Sequence, residues 1–189
     1  VNSEDEAIRK LKSGDIAGLK TLVELHQRFA VHLAAVITRD QQMAEDVVSD
    51  CFLIVYERID QFDEDRPFRP WFYRIVVNAA LKSVDSNARY VSFDDDQGDL
   101  CEEKLWPGVH SLTNHSPAIS LDEEEIVRLV RDAILKLTAR QKAVLILRYY
   151  QDMGEEDISR SLKIPRGTVK SRASAAIQRL RRLLHDLRR

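Results

Sequence analysis

The sequence predicts an all-α protein of two small helical domains, a four-helix domain and a helix-turn-helix domain, joined by an acidic flexible linker. Three observations carry this. Apolar residues recur at three- and four-residue spacing along both ends of the chain, the period of a helix that buries one face. No segment shows the sustained two-residue alternation of a half-buried strand. Between the periodic ends, from Ser86 to Pro117, the period disappears, and Asp, Ser, Asn, Gly98, Pro107 and Gly108 recur as they do in linkers. The boundaries that follow are 1–88, 89–119 and 120–189.

In the first domain Ser3 and Glu6 form a capping-box pair that opens a short helix ending near Gly14. Asp15 then starts a longer one through Leu19, Leu22, Val23, Phe29 and Leu33. From Gln41 to Ile59 a third stripe is formed by Met43, Val47, Cys51, Phe52, Val55 and Ile59. A polar break at residues 60–67 ends it. Pro70 suits the first turn of a fourth helix through Trp71, Phe72, Ile75, Val76 and Ala79. In the second domain Ser120 with Glu123 and Thr138 with Gln141 are capping-box pairs, the latter opening a helix that runs to Tyr150. A short helix at Glu155–Leu162 follows, and after Pro165 a last helix carries Val169, Ala173, Ile177, Leu180, Leu184 and Leu187 on one face. Two helices joined by a tight turn, the second strongly basic, describe a helix-turn-helix.

Composition bounds the function. With 44% hydrophobic residues the 189-residue chain can bury a core, yet no run approaches the ~20 uncharged apolar residues that span a bilayer. The N-terminal residues are acidic rather than a basic signal region, so the expectation is a cytoplasmic protein without membrane insertion. Cys51 and Cys101 do not suggest a disulfide framework, and Cys51 falls on a core stripe. Charge is unevenly placed. Residues 91–125 carry one basic side chain against ten acidic, whereas residues 137–189 carry thirteen against five. The basic end has the electrostatic footprint of a nucleic-acid binder. No phosphate-cradling glycine loop, nucleophile elbow or close metal-ligand cluster is present, and His110 and His115 stand too loosely around Cys101 for zinc. Neither an enzyme nor a cofactor or metal is expected.

The last helix leaves Lys170, Ser171, Ser174 and Gln178 opposite its apolar stripe, with Arg166 and Thr168 at its start and Arg172 to one side. Arg and Lys reach guanine edges or phosphates, and hydroxyls bond either. These residues, with Arg148 just upstream, are the candidates for duplex recognition. On the third helix Asp46, Ser49, Asp50, Leu53 and Glu57 recur at three- and four-residue steps, giving an acidic stripe with an apolar centre that suits docking on a basic partner. Phe62 in the break, and Arg74, Asn78 and Lys82 at four-residue spacing on the fourth helix, suit an unpaired base and its backbone. Trp71 and Phe72 continue the core stripe.

Residues 137–145 (Leu-Thr-Ala-Arg-Gln-Lys-Ala-Val-Leu), Gly154 to Ser159 and Ile164 to Arg172, with its Gly-Thr-Val-Lys-Ser-Arg string, resemble region four of the sigma-70 family. Ala44 to Leu53 and Phe68 to Asn78 resemble region two of its extracytoplasmic-function group. The resemblance covers about two thirds of the chain, in the family's order. It implies a sigma factor that binds core RNA polymerase through the β′ coiled coil and the β flap and reads promoter DNA. The −35 element would be read by the last helix. The −10 element would be read by the Asn78 position and by the loop before the fourth helix, which captures an unpaired base. An anti-sigma factor is implied as a further partner. The linker is either a solvated tether or, as the resemblance implies, a segment that threads the polymerase channel. Two stretches depart from the family's pattern. Leu81 to Arg89 lacks its dense basic run, and Ser174-Ala175-Ala176 stands where larger or basic residues are common, implying fewer base contacts. The competing reading of the residues is a stand-alone helix-turn-helix regulator.

Overall fold

A computed structural model describes residues 3–90 and 121–186. They fall into two compact units, one toward each end of the chain, with helices and no strand among the described residues. Of the expected linker, residues 91–119 lie outside the described ones, as do Ser120, Cys101, His110 and His115.

The first unit holds α1 (Ser3–Lys12), α2 (Ala17–Thr38), α3 (Gln41–Arg58), a 3-10 turn (Ile59–Gln61) and α4 (Phe68–Tyr90). The long α2 is central and packs against the other three helices. Leu22, Ala30, Leu33 and Ile37 of α2, Val48, Cys51, Phe52 and Val55 of α3 and Phe68, Phe72 and Val76 of α4 are all buried in the core these helices enclose. Cys51 is fully enclosed, and burial, with the charge of Asp50, pushes its thiol up to about 12, so it serves as the small hydrophobe its stripe predicts. Gly18 lets α1 come close: a Cβ there would run into the carbonyl oxygen of Ala7 and lie 2.7 Å from the nitrogen of Leu11. α2 stops at Arg39, whose left-handed φ of 61° turns the chain while its N–H donates to Ala35. Asp40 then caps α3 by accepting from the Met43 N–H at 3.0 Å.

The second unit holds α5 (Leu121–Leu135), α6 (Ala139–Leu145), α7 (Glu155–Leu162) and α8 (Arg166–Asp186), with α8 packed against the other three. The predicted capping box is present: Thr138 accepts from the Gln141 N–H, and the Gln141 side chain accepts from the Thr138 N–H. The helix that follows differs from expectation. It reaches Tyr150, but residues Ile146–Tyr150 widen into a π-turn closed by Gln151 N–H donating to Ile146 O at 3.1 Å. Leu147 is fully buried there, while Tyr149 and Tyr150 point outward. Between α7 and α8 the chain reverses at Lys163, another left-handed residue (φ 52°), and the Ser159 hydroxyl donates to Ile164 O at 2.6 Å across the turn. The core is built of smaller side chains than that of the first unit, among them Ala133, Ala143, Ala173 and Ala176 around Leu137, Leu147, Ile158 and Val169.

Candidate nucleic-acid interface and docking face

Helix α8 buries Val169, Ala173 and Ala176 and keeps Ile177, Leu180 and Leu184 half-buried. Arg166, Lys170, Ser171, Ser174 and Gln178 are all exposed, as the sequence placed them, and Thr168 and Arg172 are half-buried at the margin. Ala176 corrects one expectation. It belongs to the core where α8 packs on its neighbours, so its small size is a packing matter and not a missing base contact. Among the described residues no carboxylate forms an ion pair with Arg166, Lys170 or Arg172 of α8. The Ser171 hydroxyl donates back to Thr168 O at 3.1 Å, so it offers an outside partner its lone pairs.

Arg148 is placed differently from the outward cations. Its guanidinium donates to Glu155 at the start of α7 at 2.8 Å, and both side chains are partly covered. The bond to Arg148 holds the Glu155 carboxyl below its ordinary range, and the charges of Lys170 and Arg166 push the same way. Arg148 holds Glu155 through one Nη1 bond and keeps its other N–H groups for an outside acceptor, and Glu155 places a negative charge near the start of α8. Sequence reasoning missed Glu155. Its only signal was its place three residues from the first apolar position of α7.

On α3 the predicted stripe is exposed along its whole length: Asp46, Ser49, Asp50, Leu53 and Glu57. Leu53 is 59% exposed, and Tyr56 beside it is 48% exposed, a second apolar member that three-residue spacing from Leu53 could have revealed. No described cation pairs with Asp46, Asp50 or Glu57. Some acids elsewhere in this unit contrast with them. Glu6 meets Lys10 at 2.8 Å and Glu64 meets Lys12 at 2.9 Å.

On α4, Arg74 and Asn78 are half-buried and Lys82 is exposed, one above the other at four-residue steps. Phe62 is corrected. Its ring is 3% exposed and packs edge-on to Phe68 at 5.6 Å and against Trp71 at 5.2 Å, because the chain dives into the aromatic core before the loop emerges. The ring anchors the loop and offers no face to a base. After Phe62 the break continues as the exposed segment 63–67, a compact turn in which Asp63 accepts from the N–H groups of Asp65 and Arg66 and faces the Arg66 side chain at 3.2 Å. Phe72 is core as expected, with Trp71 half-buried at its edge. No group of three or more metal-ligating side chains occurs among the described residues, and no described helix is long and apolar enough to cross a membrane.

Comparisons with known proteins agree on both units. The family model for sigma-70 region 2 matches residues 22–90, and that for sigma-70, region 4, matches residues 128–180. The chain is 28% identical over 188 residues to the ECF RNA polymerase sigma factor SigW of Bacillus subtilis, covering 95% of this chain and 96% of that one. It is 27% identical to the RNA polymerase sigma-H factor of Pseudomonas aeruginosa, covering 98% and 96%. Among solved structures, CnrH in complex with the cytosolic domain of CnrY superimposes with a TM-score of 0.57 at 21% identity, over 98% of this chain and 99% of that one. The sigma factor RpoE in complex with the anti-sigma factor NepR from Bartonella quintana gives 0.59 at 23%, over 88% and 96%. At those identities the structures share the fold.

Proposed function

The chain belongs to the sigma-70 family as an extracytoplasmic-function sigma factor, and from that premise we propose how its surfaces divide the work of directing RNA polymerase to promoters. The face of α3 formed by Asp46, Ser49, Asp50, Leu53 and Glu57, with Tyr56 added, docks on the β′ coiled coil of core polymerase. Opposite charges steer the encounter, and the apolar centre supplies dry contact area. The second unit meets the β flap and lays the exposed face of α8 into the major groove of the −35 element. Arg166 holds phosphate there, while Lys170, Ser171, Ser174 and Gln178, flanked by Thr168 and Arg172, read base edges. Arg148 positions α7 through Glu155. Arg74, Asn78 and Lys82 of α4 and the loop at 63–67 take the separated strand of the −10 element. The bond-making chemistry stays with the polymerase, in the cytoplasm. An anti-sigma factor, the class of partner named for RpoE of Bartonella quintana, is the expected inhibitor.

The observation that supports this division most is the pairing, in one chain, of an acidic face on α3 and a cationic face on α8 whose Asp46, Asp50, Glu57, Arg166, Lys170 and Arg172 form no ion pair among the described residues. The test is run-off transcription by core polymerase with this chain on genomic fragments, after measuring binding to core in the absence of DNA. Specific start sites that depend on the chain are expected. A chain that binds duplex DNA but never core polymerase would be a stand-alone regulator.

A further inference from the structure

We propose that α1 is a strut that sets the orientation of the loop at 63–67, with Lys12 as the positioning residue. The inference rests on the reading that this loop receives an unpaired promoter base. It concerns a part of the chain outside the sigma-70 region 2 match, which begins at residue 22.

Helix α1 is held rigidly. It buries Ala7, Ile8 and Leu11 and touches α2 backbone to backbone at Gly18. At its N-terminal end Glu4 lies 2.7 Å from Nε2 of His26, off the line of a good hydrogen bond but close enough to attract. At its other end the Lys12 ammonium donates to the carbonyl oxygen of Phe62 at 2.8 Å and sits 2.9 Å from Glu64 Oε1. These two partners bracket Asp63, the residue from which the turn is built. The hydrogen bonds and the ion pair of the turn itself run only among Asp63, Asp65 and Arg66. Its shape is thus local, and its direction is fixed where it leaves the core, by the buried Phe62 ring below and by Lys12 from the side. A four-carbon stem with three donors suits bridging a main-chain carbonyl and a carboxylate at once. A base captured by a misaimed turn loses hydrogen bonds that demand correct distance and angle, so Lys12 governs selectivity without touching DNA.

The experiment uses holoenzyme assembled from core polymerase and the full chain, with single-stranded DNA carrying six randomised bases as the probe. Retained strands are sequenced for base enrichment at each position. Asp65→Ala with Arg66→Ala marks the position that the loop governs. Lys12→Met keeps the stem and removes the bonds, and it should lower enrichment at that position about tenfold, within the range of one good base contact. Other positions and core affinity should stay unchanged, with only a small fall in melting temperature from the lost bonds. Lys12→Arg should restore the preference, and Glu64→Gln should reproduce part of the loss without altering α1. Unchanged enrichment in Lys12→Met at the marked position overturns the strut and leaves the loop reading standing. An equal fall at every position, with a much lower melting temperature, also overturns it, since α1 would then serve stability alone. If the loop variant itself shifts no position, the loop reading falls and the strut falls with it.

Discussion

Helices α3 and α8 are built to the same plan and finished differently. Each is long, buries one stripe, and turns outward a row of like charges that finds no ion pair among the described residues. What lies between the charges differs. On α3 the acids flank Leu53 and Tyr56, large apolar groups left 59% and 48% exposed. On α8 the cations are interleaved with Ser171, Ser174 and Gln178. Apolar filling suits a partner that excludes water, and hydroxyl and amide filling suits a hydrated groove where hydrogen bonds carry the selection. The sign of the charge indicates a partner's polarity, and the filling indicates whether the contact is dry or wet.

The sharpest way to break this contrast is charge reversal on α3. Asp46→Lys with Asp50→Lys should weaken binding to core polymerase by about 2–5 kcal/mol, by loss of close charge pairs, while helical content is retained. Titration with labelled protein measures it, and an unchanged affinity removes α3 as the docking face. A smaller effect is expected on α8. Lys170→Ala and Ser171→Ala should each cost about 1–3 kcal/mol of discrimination between matched and mismatched −35 duplexes, with Ser171 toward the low end because its donor is already used. Arg166→Ala should instead weaken all sequences alike and flatten the salt dependence by about one phosphate contact. A salt series with residues 120–189 separates the two behaviours. Full discrimination in the Lys170 and Ser171 variants would mean that another face meets the groove.

A further contrast divides the two units by pH. His26 and His32 both belong to the first unit, and burial lowers both pKa values, that of His32 to about 4. For His26 the nearby charge of Arg69 adds to the lowering, while Glu4 opposes it. Because the folded form holds fewer protons than the unfolded chain between about pH 6.5 and 4, this stability is full above that window and is lost as pH falls through it. For His32 the loss is on the order of 2 kcal/mol after allowing for its partial exposure. Chemical denaturation should show the first unit weakening across the window, and His32→Gln should shrink that weakening. An equal loss in the second unit would assign the acid sensitivity elsewhere.

The all-α class and the helices were legible because long amphipathic stripes and caps such as Thr138–Gln141 are local signals. The outward rows of α3 and α8 were legible for the same reason: once the buried stripe is known, helical geometry dictates the opposite face. Features that depend on distant partners were not. Phe62 sits in a polar stretch that reads as exposed, and only the aromatic cluster of Phe68 and Trp71 shows why its ring turns inward. Ala176 looked like a gap in a binding face because a small residue carries no sign of what packs upon it. The π-turn at 146–150 leaves the apolar spacing nearly intact, so periodicity could not report it. Lys12 and Glu155 act through pairings whose partners no local pattern names.

Lys163 makes the turn between α7 and α8 in a backbone region where an L side chain costs about 1 kcal/mol and glycine costs far less. Part of that cost is offset by placing a cation at the negative end of the α7 dipole. The outcome is a position at which folding and charge are in competition. Glycine there would strengthen the unit, yet it would strip one positive group from the approach to α8. A screen that selects for thermal hardiness alone should drift toward glycine at 163, whereas one that selects for promoter output should hold on to lysine.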